Sequence, residues 1–475
     1  VPERAAPPRA QPAAAPVSPP DPAPIPRPRP EPVPDVPEPE ARSAVPPAPA
    51  PEPEAPFGKE PKRALELGLQ IAAELGLDTR NFENRIGCGE IRGESEKYLA
   101  TITHVDVVPA GEGWTADPFT MREREGWIIG RGVLDDKGPS VICLYALKYL
   151  KEKNVPLRYG VRALLGSNEE THMKDVEYYL ENYPAPAFCF SPDADFPVCN
   201  GEKGIFQGEL VSKCPLSAII SIEGGFAVNA IPDKATAVLK CSGKLPESSE
   251  RVTVSAENGK ITLVATGKSG HASLPEGTVN AIGVLVNFIL DNDLCSKEEA
   301  EYLTVLKKLH SSAYGEGVGA AASDGRFSPL TMIGGMIRIK DGRIWQSVDS
   351  RYTTNTSGEK LAAALNNAAN GAAEVIVKDD VVPFYIDPNS AEIQTCLNTY
   401  NEVTGEHAQT FTMGGGTYAR HFPNAASFGP EHPERPMPDF AGSIHGVDEA
   451  ACIDWLLEAL KIYISTLLRL QEVDF

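Results

Sequence analysis

Four short stretches place carboxylates or imidazole where apolar runs end: THVDVVPAG with His104 and Asp106, GRGVLDDKGP with Asp135 and Asp136, GSNEETHM with Glu169 and Glu170, and SPDADFP with Asp193. A fifth, SIHGVDE, adds His445 just ahead of the last apolar-periodic segment. Singly these are ordinary. An isolated histidine near a strand end is commonly satisfied within the fold, and an aspartate ahead of a helix commonly caps it. Together they pose an energetic problem, because burying this many carboxylates without cations is costly and forces some to stay protonated. Divalent metal resolves it. Imidazole plus carboxylate, without thiolate, suits Zn²⁺, Mn²⁺ or Co²⁺ at a catalytic rather than a structural centre. Two metals about 3.5 to 4 Å apart need a bridging carboxylate, further ligands on each ion and a nearby acid to take a proton from bound water. The five stretches contain those parts.

The elements that must position these residues read as strand and helix in alternation. A helix is expected in GKEPKRALELGLQIAAELGL, then strands in KYLATITHVDVV and GWIIGRG, then a helix after DDKGPS with Pro139 in its first turn. A strand in RYGVRALLG, a helix near MKDVEYYLENY and a strand in AFCFSPD follow. In such α/β patterns sites gather beyond the strand ends. After about residue 200 the texture changes. RVTVSAENGKITLVATG alternates apolar and polar on both sides of Asn258-Gly259, a strong hairpin signal. The chain closes on a helix whose Ile453, Leu456, Leu457, Leu460, Ile464, Leu467 and Leu468 make one apolar face. The expected organisation is a Pro/Ala-rich tail at 1–56, disordered or polyproline II because it has too little apolar surface to offset its ordering entropy. An α/β domain with a central mixed sheet flanked by helices occupies 57–200 and 381–475, split by an inserted α+β lid at 201–380.

Composition bounds the rest. The 475-residue chain has a formal charge of −21, and no basic cluster stands out, which argues against a nucleic-acid partner. Its apolar runs fall short of the roughly 18 residues that a membrane span needs, so no membrane association is expected. Nine cysteines scattered singly, without a C-x-x-C pair, fit neither a disulfide scaffold nor a zinc finger and favour a reducing, cytoplasmic setting. No basic start followed by an apolar run marks a secretory signal. The glycine-rich MGGGTYAR lacks the Lys-Ser/Thr ending of a phosphate-binding loop. His172, His310, His407, His421 and His432 match no ligand pattern and read as surface residues.

THVDVVPAGEGWTADPF, GRGVLDDKGPS, GSNEET, SPDADFPVCNGEKG, GKSGHAS and SIHGVDE resemble the motifs of the co-catalytic zinc peptidases that include aminoacylases, carnosinases, carboxypeptidase G and acetylornithine deacetylase, and most of all the dipeptidase V (Xaa-His dipeptidase) type. The resemblance runs from about residue 55 to the end. It departs at the start, where relatives normally carry a helix ahead of APFGKEPKRALE and this sequence has its proline-rich run.

The resemblance implies that His104 and Asp193 hold one metal, Glu170 and His445 the other, and Asp135 bridges them. Asp106 would orient the His104 imidazole. Glu169 would be the general base, taking a proton from a metal-bridged water and passing it to the leaving amine. Sequence alone would allow Glu169 and Glu170 to exchange roles, and Asp136 reads equally well as a helix cap. His271 in GKSGHAS would steady the oxyanion. Asn229 and Arg351 would bind substrate, the guanidinium gripping a terminal carboxylate. Gly415 and Thr417 would line the pocket, with a plain tight turn as the other reading of that loop. Asp193 rather than Glu at its position resembles the branch acting on di- and tripeptides. The implied protein is a monomeric dinuclear metal-dependent dipeptidase, most naturally with Zn²⁺. An N-acyl amino acid deacylase is the alternative within the family, and a non-catalytic binding protein on the same scaffold is the rival outside it.

Overall fold

The computed structural model describes residues 54–241 and 245–475. The Pro/Ala-rich reading of 1–56 lies outside the described residues except for its last three. Of these, Ala55 is buried and its carbonyl accepts the Gly58 N–H at 3.0 Å.

The strand Tyr98–His104 is buried along its whole length, which is why its sequence runs nearly continuously apolar and β-branched rather than alternating with charge. Leu99 faces one hydrophobic layer, whereas Tyr98, Ala100 and Ile102 face the other. This strand pairs in parallel with Gly160–Gly166, His104 opposite Gly166, and with Phe188–Ser191. Around these three the first nine-stranded sheet is mixed, running Asp78–Phe82, Ile86–Ile91, Gly160–Gly166, Tyr98–His104, Phe188–Ser191, Ala425–Ser427, Cys199–Glu202, Phe384–Tyr385, with Phe411–Met413 beside Cys199–Glu202.

Helices Lys59–Glu74, Lys137–Glu152, Ala391–Thr404 and Ile453–Arg469 cover one face through residues such as Ala72, Leu147, Ile393 and Ile462. Helix Lys174–Asn182 and the short turn Tyr418–His421 cover the other through Val176, Tyr179 and Tyr418. The last helix buries a stripe rotated from the expected one: Leu456, Ala459, Ile462, Tyr463, Thr466 and Leu467 face inward, while Leu457 is 48% exposed. The stripe follows the i, i+3, i+7 rows set by Leu456, and Tyr463 joins the Phe190, Phe196 and Phe428 rings there. Burying each such large side chain contributes about 1.5–3 kcal/mol.

The second nine-stranded sheet is antiparallel and draws on strands between Gly204 and Val381. The Asn258-Gly259 signal is realised as a two-residue hairpin with Glu257 opposite Lys260. Both turn residues take positive φ, 51° and 73°, as the turn that matches strand twist demands. Helices Ala281–Asp291, Lys297–Leu309 and Gly358–Ala369 pack on this sheet through Leu285, Leu306 and Leu361. No helix among the described residues is long and apolar enough to cross a membrane.

Candidate active site

Parallel strands bring their carboxyl ends together. His104 is the last residue of its strand, Glu169 and Glu170 follow Gly160–Gly166, and Asp193 follows Phe188–Ser191. Asp135 enters from the turn ahead of helix Lys137–Glu152, and His445 from the loop before the strand Ala450–Cys452. The chain thus gathers residues more than 300 positions apart at one edge of the sheet.

Asp135 turns its two oxygens to two different imidazoles: Oδ1 lies 2.9 Å from His104 Nε2 and Oδ2 lies 2.8 Å from His445 Nε2. His104 Nε2 is also 3.8 Å from Asp193 Oδ2, and His445 Nε2 is 3.2 Å from Glu170 Oε2. On the other edge of the His104 ring, Nδ1 lies 3.1 Å from the Asp106 carbonyl and 3.5 Å from its carboxylate. Asp106 accepts the backbone N–H groups of Glu169 and Glu170 at 3.2 and 3.1 Å. One buried carboxylate therefore orients a histidine and fixes the strand-to-helix turn that carries both glutamates. Glu170 is further held by the Val108 N–H at 3.1 Å.

Asp136 does not cap the following helix with its side chain. Its Oδ2 accepts the His104 N–H at 3.2 Å instead, because the strand end needs an acceptor that the sheet no longer supplies. The Asp135–Asp136 peptide is cis.

The electrostatics describe a site short of positive charge. Burial raises the Glu169 carboxyl to about 8, with Glu170, Asp106 and Asp135 adding to the effect and His104 opposing it. Burial, then Asp135 and Asp136, holds Asp193 well above the usual carboxylate range. His445 is pushed up to about 10 by Asp135 and Glu170. Burial disfavours a charged His104, yet Asp106 and Asp135 outweigh it and raise the ring well above its ordinary value. Protons on the two histidines do the work of cations.

The donor set fits divalent metal. His104 Nε2 is buried, 2.9 Å from Asp135 Oδ1 and 3.8 Å from Asp193 Oδ2, so an imidazole nitrogen and two carboxylates converge on one point. Ligand atoms of His104, Asp135 and Glu170 lie within 4.8 Å of one another, as do those of His104, Asp136 and Asp193. Imidazole and carboxylate donors without thiolate match Zn²⁺, Mn²⁺ or Co²⁺.

The second sheet and the glycine-rich loop supply the remaining predicted residues. His271, in the two-residue strand Gly270–His271, pairs with Ala230–Ile231 and hydrogen-bonds the Ser273 hydroxyl at 2.7 Å. Burial, then the charges of Arg351 and His445, depress its pKa against the opposing effect of Asp349. Asn229 is half-buried next to it, its carbonyl accepting the Ala272 N–H at 2.9 Å. Arg351 is buried, bound to Asp349 at 2.9 Å and to the Gly414 carbonyl at 3.0 Å. Gly415 is half-buried in the same loop. Thr417 is buried and committed to the fold, its N–H and hydroxyl both bonding Glu202.

Two supports escaped the sequence reading. Glu202 holds Thr417, Ser427 and Arg420. Asp175 accepts the Ser167 and Asn168 N–H groups at 2.6 and 3.0 Å and the Tyr418 hydroxyl, tying the glutamate turn to the glycine-rich loop. A Cβ at Gly166 would overlap that hydroxyl, so the glycine in LLGSNEE permits the approach. Their only sequence signal is a carboxylate inside an otherwise buried stretch. His432 and His310 are not surface residues: His432 is buried among the Phe196, Tyr400 and Trp455 rings, and the His310 ring is enclosed beside Gln346.

The fold and this donor set define a dinuclear metal-dependent hydrolase. Residues 100–469 match the profile of Peptidase family M20/M25/M40, and the chain belongs to that family. It is 30% identical over 434 residues to a protein named putative dipeptidase YtjP of Bacillus subtilis (strain 168), covering 88% of this chain and 92% of that one. It is 31% identical over 441 residues to the Beta-Ala-Xaa dipeptidase of Lactobacillus delbrueckii subsp. lactis, covering 88% and 91%. Among solved structures, aminoacylhistidine dipeptidase from Vibrio alginolyticus shares the fold with a TM-score of 0.55 at 14% identity, over 88% of this chain and 94% of that one.

Proposed function

We propose that this protein is a dipeptidase that cleaves the peptide bond of dipeptides with free amino and carboxyl ends. The observation that carries the reading is the division between the two adjacent glutamates. Glu170 faces His445 at 3.2 Å and is anchored by Val108, whereas the Glu169 carboxylate has no hydrogen-bond or ion-pair partner among the described residues. Both relatives named above carry dipeptidase in their names and align along nearly their full lengths.

Metal ions held by His104, Asp193, Asp135, Glu170 and His445 would polarise the scissile carbonyl and acidify water. Glu169 accepts the proton of the attacking water and returns it to the leaving amine, a task open to a carboxylate that no neighbour engages. Asp106 holds His104 and both glutamates in register throughout. His271 donates to the developing oxyanion. Arg351, with Asn229 and Gly415 nearby, receives the terminal carboxylate; Asp349 holds its Nε/Nη2 edge, and substrate would take Nη1 over from the Gly414 carbonyl.

The segment 201–380 acts as a lid over the 57–200 and 381–475 parts. Zn²⁺ is the resident metal, and the protein works as a cytoplasmic monomer. Incubating the enzyme with Zn²⁺ or Mn²⁺ and a panel holding Ala-Ala, β-Ala-His and N-acetyl amino acids tests the reading. Release of free amino acids from the dipeptides is expected, and turnover of acylated substrates alone would overturn it.

A further inference from the structure

Glu449 lies four residues after His445 and is fully buried. Its Oε1 accepts three backbone N–H groups from the turn that delivers Asp135: Gly132 at 3.1 Å, Leu134 at 3.0 Å and Asp135 itself at 3.2 Å. Its Oε2 meets Arg131 Nη1 at 2.6 Å. The other arm of the guanidinium, Nη2, donates to the His445 carbonyl at 3.2 Å and to the Ala110 carbonyl at 3.4 Å. The Gly130 N–H closes the circuit on the Glu449 carbonyl at 2.9 Å.

We propose that Glu449, clamped by Arg131, is a positioning residue that presets the separation of Asp135 and His445 so that divalent metal meets a preformed site. The proposal rests on the dinuclear reading above. The two ligands come from distant parts of the chain, yet their facing atoms lie 2.8 Å apart. The Glu449–Arg131 pair bonds directly to the backbone of both.

Stability alone is a poor explanation for such a pair, because a buried ion pair is often no better than apolar residues of similar volume. What apolar residues cannot do is accept three amides of one turn at a single oxygen. Charge-assisted bonds of that kind are short and directional, so they fix a backbone that has no sheet partner of its own. The arrangement also explains the glutamate's place in GVDEA. It stands at the start of the strand Ala450–Cys452, whose pairing with Trp127–Ile129 brings it against the turn at 130–135.

The test uses the full chain, stripped of metal, and Zn²⁺ alone as the probe. Glu449→Gln keeps the shape and one acceptor oxygen but turns an amide NH₂ toward Arg131. Competition with a chromophoric chelator should show Zn²⁺ binding weakened about 10- to 100-fold, the range for losing a residue that orients metal ligands, while circular dichroism of the metal-free protein stays that of the parent. A role confined to stability predicts the reverse, a lowered unfolding temperature with unchanged Zn²⁺ affinity, and that result would overturn the proposal. If Glu449→Gln does not fold, Arg131→Lys serves. It keeps the charge but loses the fork to His445, and should also weaken Zn²⁺; parent-like affinity there would equally overturn it. A parent protein that takes up no Zn²⁺ is a separate result, which would sink the dinuclear reading itself and this proposal with it.

Discussion

His104 Nε2 and Asp135 Oδ1 lie 2.9 Å apart in a buried site, and the ring nitrogen has no hydrogen bond. Without a cation, that contact is tolerated only by protonating the ring, and every neighbouring carboxylate adds to the strain. Metal bound to the native state alone stabilises it by mass action, about 2.7 kcal/mol at 100 times Kd. Dialysis against a chelator should therefore abolish hydrolysis and lower Tm, and added Zn²⁺ should restore both. Scanning calorimetry of the stripped and reloaded protein reads the shift. Identical unfolding curves would contradict a resident metal.

Glu169→Gln and Glu170→Gln should separate although the residues adjoin. The first removes a proton acceptor and leaves the ligands intact, so kcat should fall by about 10²–10⁴-fold with metal content unchanged. The second removes a donor that faces His445 and should lower the metal-to-protein ratio itself. Elemental analysis beside steady-state kinetics on one dipeptide tells them apart. Equal metal loss in both would mean that the two glutamates share the ligand role.

Much of the site was legible because its chemistry sits in short local patterns: acids and imidazole at the ends of apolar runs, with Glu169 and Glu170 adjacent. The alternation around Asn258-Gly259 likewise announced its hairpin. The supports were hidden for a physical reason. Glu449, Asp175 and Glu202 each have partners more than 200 positions away, Gly132 to Asp135, Tyr418 and Thr417 respectively, and a lone carboxylate beside a helix or strand reads as a cap or a surface charge. His432 was hidden in the same way, since nothing local announces the Phe196, Tyr400 and Trp455 rings that enclose it. The last helix shows a third limit. Its composition permits several apolar stripes, and only the partner surface selects the one led by Leu456.

Tyr418→Phe should couple stability to catalysis. The hydroxyl donates to Asp175, whose carboxyl burial has already raised to about 6 and which holds the Ser167 and Asn168 amides. Deleting the donor leaves a buried carboxylate short of one partner, at a cost of about 1–3 kcal/mol. The turn carrying Glu169 then loses a restraint. Chemical denaturation should show that loss, and kcat should drop with KM for the dipeptide nearly constant. An unchanged kcat would show that the turn is fixed by Asp106 alone.

His310 sets a pH dependence away from the metal ligands. Its ring is enclosed in the second sheet's helical layer, 3.4 Å from Gln346 Oε1, and burial lowers its pKa from 6.5 to about 4. The native state therefore resists the proton that the unfolded chain accepts. The sign follows directly: between pH 6.5 and 4 the unfolded state binds more protons, so stability is full above that window and falls as pH drops through it. From pH 7 to pH 5 this one group should remove up to about 2 kcal/mol. His310→Gln keeps a polar side chain that cannot titrate, so its unfolding free energy should fall less steeply over the same interval and converge with the parent's slope above pH 7. Urea denaturation at pH 5, 6 and 7 measures both slopes, and parallel lines would show that the ring is hydrated in the folded protein.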